Sequence, residues 1–287
     1  MGVVLPVLFA LLAAFSNATA TVLQRRAALT VPQSQGFRPS LVLDLLRRPV
    51  WLAGMLAVIV AGVGQAAALA TGPLSLVQPL FVLELPLALL LASLATGRRL
   101  PPVMWAAVAG VVVGLGVALG AASPYGGRAE VSALRWGPAL AACAVAAVLL
   151  AGAGVRRPVG KARAGCLGAA TAVCYALTAA LMKDSMAVLD TDGVTGFLTA
   201  WQTYAFAAAG VGAVLLLEHS MQGGPLVASQ PALTLGDATV SLLLGVFLYL
   251  EHLRTGWWLL PQLLGVALVV VGVLTLARRG VDLRTGG

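Results

Sequence analysis

Two carboxylates lie in the middle of long apolar segments, where an ionisable side chain is unusual. Glu84 falls near the centre of the apolar run 73–96, and Asp237 falls near the centre of the run 224–248. Such a group at the centre of a bilayer costs roughly 2.5–3.5 kcal/mol on insertion scales, so it generally faces a polar interior or a transport pathway. We therefore predict that Asp237 and Glu84 bind a cation or carry a proton. The alternative is a neutral acid that bonds to a neighbouring helix.

Uncharged polar side chains form stripes at helical spacing on three of the apolar runs. The three stripes are Asn17, Thr21 and Gln24; Thr171, Tyr175 and Thr178; and Gln230, Thr234, Asp237 and Ser241. Because each set falls on one face of a helix, we predict that the stripes line one internal cavity. Gln78 and Gln65 are further candidates for its lining. The alternative is a set of interhelical hydrogen bonds that only hold the helices together.

The segments that carry these side chains have the composition of membrane helices. Of the 287 residues, 60% are apolar and only 10% are charged, whereas a soluble domain averages about 25% charged residues. Nine runs reach the roughly 20 residues that a helix needs to cross a bilayer. They are 2–23, 50–71, 73–96, 101–122, 134–152, 163–184, 197–217, 224–248 and 257–277. This composition excludes a soluble enzyme, a disordered chain and a disulfide scaffold.

The net charge of +8 follows the topology that these runs imply. If the segment after the first run is cytoplasmic, fourteen of the eighteen Lys and Arg residues fall on the cytoplasmic side. Such a bias orients membrane proteins. We therefore predict a multi-pass protein of the plasma membrane with its N-terminus outside and its C-terminus in the cytoplasm. The basic residues are explained by orientation, so we expect no nucleic acid as a partner.

An internal repeat divides the chain into two halves. Residues 72–79 and 224–231 both read G-P-L-x-x-x-Q-P, and each copy opens an apolar run. Five runs separate the two copies, so the halves have opposite orientations, which is typical of secondary transporters. The predicted fold is an all-α membrane protein with about nine transmembrane helices in two inverted four-helix repeats plus a connecting helix. The repeats cover 1–122 and 163–287, with the connector at 123–162.

Prolines and glycines inside the runs predict local features of the helices. A proline within a helix frees a carbonyl group, so Pro79 and Pro231 are predicted helix breaks, and Pro86 is a candidate for a packing kink. Small residues four apart allow helices to approach closely. The run 101–122 has two such pairs, which predict close packing at Gly110, Gly114, Gly116 and Gly120. Glu251 and His252, beside the last run, are predicted to form a solvated pair.

With these motifs the chain resembles the drug/metabolite transporter superfamily. The EamA-like pattern of a mid-helix proline, a short charged loop and a glycine-rich final span is similar to Gln78-Pro79, Gly97-Arg98-Arg99 and the run 101–122. It is also similar to Gln230-Pro231, Glu251-His252-Leu253-Arg254 and the run 257–277. The nine-span layout is closest to the NIPA-type magnesium transporters. Gln65, however, stands where that branch carries an acid, and Gly97-Arg98-Arg99 lacks the usual loop glutamate.

The sequence and the resemblance together predict a transporter rather than an enzyme. We expect a small polar or charged solute to move by alternating access through a cavity lined by Asn17, Gln24, Gln78, Tyr175, Gln230 and Asp237. A magnesium or other divalent-cation carrier of NIPA type is one alternative, and a non-transporting membrane scaffold is another. No cofactor and no specific metal is predicted. The expected partners are the solute or cation and the lipid bilayer, and a homodimer stays open.

Overall fold

A computed structural model describes residues 3–29, 48–97 and 99–285. Helices account for most of the residues that the structure describes, and nine helical segments among them are long and apolar enough to cross a membrane. The prediction of a helical multi-pass membrane protein is therefore confirmed. Length and hydropathy were sufficient for this prediction. A long apolar segment in lipid can form all its backbone hydrogen bonds only as a helix or in a closed barrel.

Ten α-helices and one small pair of strands make up the described part of the chain. The helices are α1 (Val4–Leu29), α2 (Pro49–Thr71), α3 (Leu74–Leu80), α4 (Glu84–Thr96), α5 (Pro102–Ala122), α6 (Ala133–Val155), α7 (Lys161–Thr199), α8 (Trp201–Gln222), α9 (Leu226–Phe247) and α10 (Leu259–Thr285). Short 3₁₀ turns cover Phe81–Leu83 and Gly256–Trp258. The strands β1 (Tyr125–Gly126) and β2 (Glu251–His252) pair in antiparallel fashion.

The connecting loops gather at two ends of the bundle, which we name after one residue each. The Glu251 end holds the loops 72–73, 123–132 and 248–258. The Gly224 end holds residues 99–101 and the loops 156–160 and 223–225. Contacts between loops mark both ends: the Arg128 amide donates to the Tyr249 carbonyl at 2.8 Å, and the Gly160 amide donates to the Gly223 carbonyl at 3.0 Å.

Each half of the chain packs its helices in a similar way. α1 packs extensively on α2, and α7 packs extensively on α8. α1 also contacts the two-part helix formed by α3 and α4, as α7 contacts α9. Two further pairs join the halves: α5 lies along α10, and α3 lies against α9. α6 packs on α7 and stands beside the bundle.

Glycines bring α5 and α10 into direct backbone contact. A Cβ atom added at Gly114 would lie 2.7 Å from the Gly265 carbonyl oxygen, and one added at Gly272 would lie 2.9 Å from the Ala107 carbonyl oxygen. Close packing at Gly114 is therefore confirmed. The same prediction is wrong for Gly116 and Gly120, where an added Cβ meets no atom within 4 Å, because that face of α5 points away from α10.

The two repeat prolines have different effects on their helices. After Pro79 the α-helix gives way to the 3₁₀ turn Phe81–Leu83 before α4 begins. α9 in contrast runs through Pro231 as one α-helix, so the helix break expected there is absent. We infer that Pro86 accounts for the difference, because it removes a second backbone hydrogen bond soon after Pro79, whereas position 238, its counterpart at the repeat offset, is an alanine.

One predicted boundary is wrong. The sixth apolar run was expected to end at residue 184, but α7 continues to Thr199, with a local break at Gly193, where φ is +67°. The extension is polar and largely exposed beyond Asp190, so hydropathy alone does not detect it. It forms a helical arm at the Glu251 end that returns the chain to α8.

Candidate functional site

The two mid-span acids lie in one cluster at the centre of the bundle. Glu84 is the first residue of α4, directly after the 3₁₀ turn, and Asp237 lies halfway along α9. Their carboxyl groups interact electrostatically. Glu84 hydrogen-bonds the side chain of Asn17 from α1, and the Ser241 hydroxyl donates to Asp237 Oδ1 at 3.4 Å. The cluster therefore joins both halves of the chain.

Tyr175 from α7 completes this central cluster. Its hydroxyl lies within electrostatic range of both Glu84 and Asp237. All four polar residues of the cluster are half-buried and lie well inside their membrane spans: Asn17, Glu84, Tyr175 and Asp237. Ionisable groups at that depth usually face the interior of a helix bundle or a water-filled cavity. The arrangement can bind a cation, or hold and release a proton.

The glutamines of the two repeat motifs have different surroundings. Gln78 is only 2% exposed, and its Nε2 has no hydrogen-bond partner among the described residues. Gln230 and Thr234 on α9 are half-buried instead. A buried amide without a partner costs about 1–3 kcal/mol. Gln78 thus has a free donor that a water molecule or a bound solute can satisfy.

Two predicted site residues lie apart from the acids. Gln24 sits at the interface of α1 and α2, where its amide contacts Met55 Sδ at 3.7 Å and its side chain packs beside Gly54. Gln65 is half-buried on α2, and no contact between it and either acid is found in the described part of the chain. The structure therefore brings together Asn17, Glu84, Tyr175 and Asp237, but neither Gln24 nor Gln65.

A buried ion pair at the Glu251 end was missed by sequence reasoning. Lys183 Nζ lies 3.5 Å from Glu251 Oε1, and the side chains are 10% and 0% exposed. The ammonium also donates to the Gly72 carbonyl at 2.6 Å. The expectation that Glu251 forms a solvated pair with His252 is wrong, because three segments that are distant in sequence close over the carboxylate.

Glu251 also caps the N-terminus of α3. Its carboxylate accepts from the Leu74 amide at 2.6 Å, from the Ser75 amide at 2.8 Å and from the Ser75 hydroxyl at 2.6 Å. The first amides of a helix lack partners within it and favour a negative charge. Gly245 makes room for this contact, because a Cβ there would collide with the Glu251 carboxylate and approach Ser75. The first repeat motif is thus tied to the last loop.

Tyr249 and the strand pair reinforce the same end. The Tyr249 hydroxyl donates to the Ala180 carbonyl at 2.6 Å, and its ring centroid lies 5.2 Å from Lys183 Nζ. Burial raises the pKa of this hydroxyl well above its ordinary value, so Tyr249 remains a neutral donor. Pairing of β1 with β2 adds a stacked contact between Tyr125 and His252 at 5.6 Å.

Asp184, next to Lys183, holds α6 and α8 against α7. Its carboxylate accepts from the Val131 amide at 3.0 Å, from Trp136 Nε1 at 2.9 Å and from Gln202 Nε2 at 3.1 Å. The residue is 1% exposed. Charged acceptors form the stronger hydrogen bonds in proteins, so Asp184 fixes the connector helix at this end.

The Gly224 end has a different construction. Backbone contacts dominate there: the Ser220 hydroxyl donates to the Ala164 carbonyl at 3.2 Å, and Gly224 lies directly against Gly160. No side-chain acceptor caps the first amides of α9 in the described part of the chain. Val227, Ala228 and Gln230 stay partly accessible. Within the described ranges, no group of three or more His, Cys, Asp or Glu residues is placed to hold a metal ion.

Comparison with known proteins finds a relative of similar length. The chain is 31% identical over 277 residues to an uncharacterized protein of Corynebacterium glutamicum, and the match covers 95% of this chain and 94% of the relative. No protein-family model matches the chain, and no solved structure does.

Proposed function

The chain belongs to the same family as the Corynebacterium glutamicum protein, and we propose that it is a transporter that moves a small polar or charged solute across the plasma membrane. The observation that carries this proposal is the central cluster, in which acids from both halves of the chain meet Asn17 and Tyr175. Acids inside a membrane are costly and are kept where a pathway needs them. Asp237 and Glu84 bind a cationic group of the solute or carry a coupling proton.

We further propose that the halves are inverted four-helix repeats that rock around the central cluster. The helix contacts support this, since α1–α2 and α7–α8 are equivalent pairs under exchange of the halves. The contacts between α5 and α10 and between α3 and α9 each join a helix to its counterpart in the other half. Transporters of this architecture bind the solute near the midplane at the repeat interface. We also propose that the chain is a member of the drug/metabolite transporter superfamily, and the EamA-like pattern of the repeat motifs supports this.

The charge distribution gives the proposed orientation. Because cytoplasmic loops carry the excess of Lys and Arg, the Gly224 end lies in the cytoplasm and the Glu251 end lies outside. The Glu251 end is sealed by buried polar contacts, whereas the start of α9 at the Gly224 end is partly accessible. We propose that the solute reaches the acids from the cytoplasmic side in this conformation.

A divalent cation is the second candidate solute, because the cluster supplies two carboxylates. Carboxylates with retained waters are typical magnesium ligands. Uptake of Mg²⁺ into proteoliposomes that is lost on neutralising both Glu84 and Asp237 favours this candidate. A membrane scaffold without transport predicts no flux of any solute.

The experiment has two stages. Metabolites and metals retained by cells with and without the gene are compared first, which identifies the solute. Flux of that solute is then measured in proteoliposomes for the Asp237→Asn variant, with Asp190→Asn as a control, because Asp190 is exposed on α7. We expect Asp237→Asn to abolish flux and the control to keep it. Undiminished flux in Asp237→Asn contradicts the role of the acid.

A further inference from the structure

An apolar groove opens on the side of the bundle between α6 and α9. It encloses about 580 Å³, and apart from Arg135 its lining is apolar. α6 supplies small residues at helical spacing, and α9 faces them with large ones. The small residues are Ala139, Ala142 and Ala146 on α6, and the large ones are Val240, Leu243 and Phe247 on α9. The helices do not close this gap, because α6 packs on α7 instead.

The groove faces the hydrocarbon of the bilayer. Leu134, Leu243 and Phe247 at its rim are 87%, 48% and 73% exposed, and all three belong to the membrane helices. From Arg135 to Ala146 the groove rises about 16 Å along α6 at 1.5 Å per residue. That length matches one leaflet of a hydrocarbon core about 30 Å thick. The groove therefore has the length and the polarity of a single acyl chain.

Arg135 stands at the head of the groove. It lies in the first turn of α6, at the Glu251 end, where a headgroup of the adjoining leaflet would lie. Its guanidinium makes no ion pair and no side-chain hydrogen bond with any residue that the structure describes. A guanidinium at the membrane surface binds phosphate through two parallel hydrogen bonds. The cation and the apolar channel below it thus complement the two parts of a phospholipid.

We propose that this groove is a binding site for one phospholipid, whose phosphodiester pairs with Arg135 and whose acyl chain lies between α6 and α9. The acyl chain fills the space beside Ala142, which the side chains of α6 and α9 leave open. This inference is independent of solute transport, because it concerns the outer face of α6 and α9 and none of the central acids.

Lipid retention by purified, delipidated protein tests the proposal. Native mass spectrometry counts bound phosphatidylglycerol, and diacylglycerol with the same acyl chains controls for the phosphate. We expect one retained phosphatidylglycerol and weaker binding of diacylglycerol. Arg135→Gln is expected to weaken phosphatidylglycerol binding about fivefold. Arg128→Gln is the matched control, since Arg128 is exposed at the same end and lies outside the groove.

A second pair of variants tests the apolar part of the site. Ala142→Leu fills the groove and should abolish retention, whereas Ala141→Leu adds the same atoms at an exposed position outside it. Equal retention within either pair of variants overturns the proposal. Equal binding of diacylglycerol and phosphatidylglycerol also overturns it. A lipid-free dimer that Ala142→Leu disrupts would assign the groove to a second copy of the chain instead.

Discussion

The two copies of the repeat motif begin their helices in opposite surroundings. In the first copy the amides of Leu74 and Ser75 are capped by Glu251, and every residue from Leu74 to Gln78 is buried. In the second copy Val227, Ala228 and Gln230 are partly accessible, and no carboxylate reaches the start of α9 within the described residues. Motifs that share five of eight residues thus begin a sealed end and an accessible end, and the loop opposite each motif contributes to the difference.

The loop residues explain the asymmetry. Glu251 lies in the loop after α9, and the repeat offset places Arg99 at the matching position after α4. An acid is favourable near the N-terminus of a helix, whereas a cation is not. We infer that the seal at the Glu251 end is specified by one acid that the other half lacks.

Loss of the acid at the sealed end should have the largest effect. Glu251→Gln leaves Lys183 buried without an ionic partner, and removing one member of a buried pair costs about 3–5 kcal/mol. We expect a fall of this size in the free energy of unfolding, measured in mixed micelles. Glu218→Gln, at the accessible end, should change it little. A similar small change in both variants contradicts the proposed seal.

A double substitution distinguishes the loss of the ion pair from the other effects of Glu251→Gln on stability. If Lys183→Met is combined with Glu251→Gln, no unpaired charge remains, and about 0.5–3 kcal/mol of the loss should return. Strict additivity of the two single variants would show that the residues do not stabilise each other.

Cysteine labelling compares the two ends directly. Leu76 and Ala228 occupy the same position in the two motifs, but Leu76 is 4% exposed, whereas Ala228 is partly accessible. In a background without Cys143, Cys166 and Cys174, a maleimide should label Ala228→Cys much faster. If the seal contributes about 3 kcal/mol, the Leu76→Cys rate is lower by roughly 100-fold.

The labelling assay also checks the cause of the difference. Adding Glu251→Gln to Leu76→Cys should raise its rate toward that of Ala228→Cys. An unchanged rate would mean that packing alone, and not the carboxylate, seals this end.

Asp184 should have an intermediate effect. Asp184→Asn weakens the acceptor for Val131, Trp136 and Gln202, and we expect a loss of about 1–3 kcal/mol in unfolding free energy. Asp190→Asn is the control, because Asp190 is exposed on the same helix. The fluorescence of Trp136 should change only in Asp184→Asn, and equal effects of both variants would rule out a specific role for Asp184.

An acid added at the accessible end should have the smallest effect. Arg99→Glu supplies a carboxylate where the repeat alignment expects one. An acid at a helix N-terminus contributes about 0.3–1 kcal/mol, so labelling of Ala228→Cys should slow by roughly two- to fivefold. Arg157→Gln, exposed at the same end, is the charge control. No slowing in Arg99→Glu would mean that one acid is not enough to form a seal.

The sequence alone could predict the membrane helices and the central acids, because both are recognised from the polarity of a residue relative to its neighbours in the chain. A carboxylate such as Asp237 stands out inside an apolar run, and a period of 3.6 residues shows which neighbours share its face. The same reasoning could not find Lys183 and Glu251. Charges near the ends of apolar runs are ordinarily solvated. These two are buried because Gly72 and Ser75 approach from a distant segment and the Tyr249 ring lies over Lys183.

The outcome for the prolines shows the same limit. Pro79 and Pro231 occupy equivalent positions, and only the added effect of Pro86 interrupts the first helix. The helical extension to Thr199 is another example, since its polar residues form a helix without the apolar pattern that identifies the spans. In both cases the helix boundary depends on several residues together and cannot be predicted from one proline or from the apolar pattern alone.

The glycine contact between α5 and α10 also constrains the order of biosynthesis. α5 ends at Ala122 and α10 begins at Leu259, so the ribosome must add about 140 residues before α5 meets its main partner. At 5–20 residues per second this takes on the order of ten seconds. The first half therefore waits in the bilayer with the Gly114 face of α5 uncovered. The contact between α5 and α10 forms only when α10 is inserted. Insertion of α10 is therefore the step that commits these helices to their final packing.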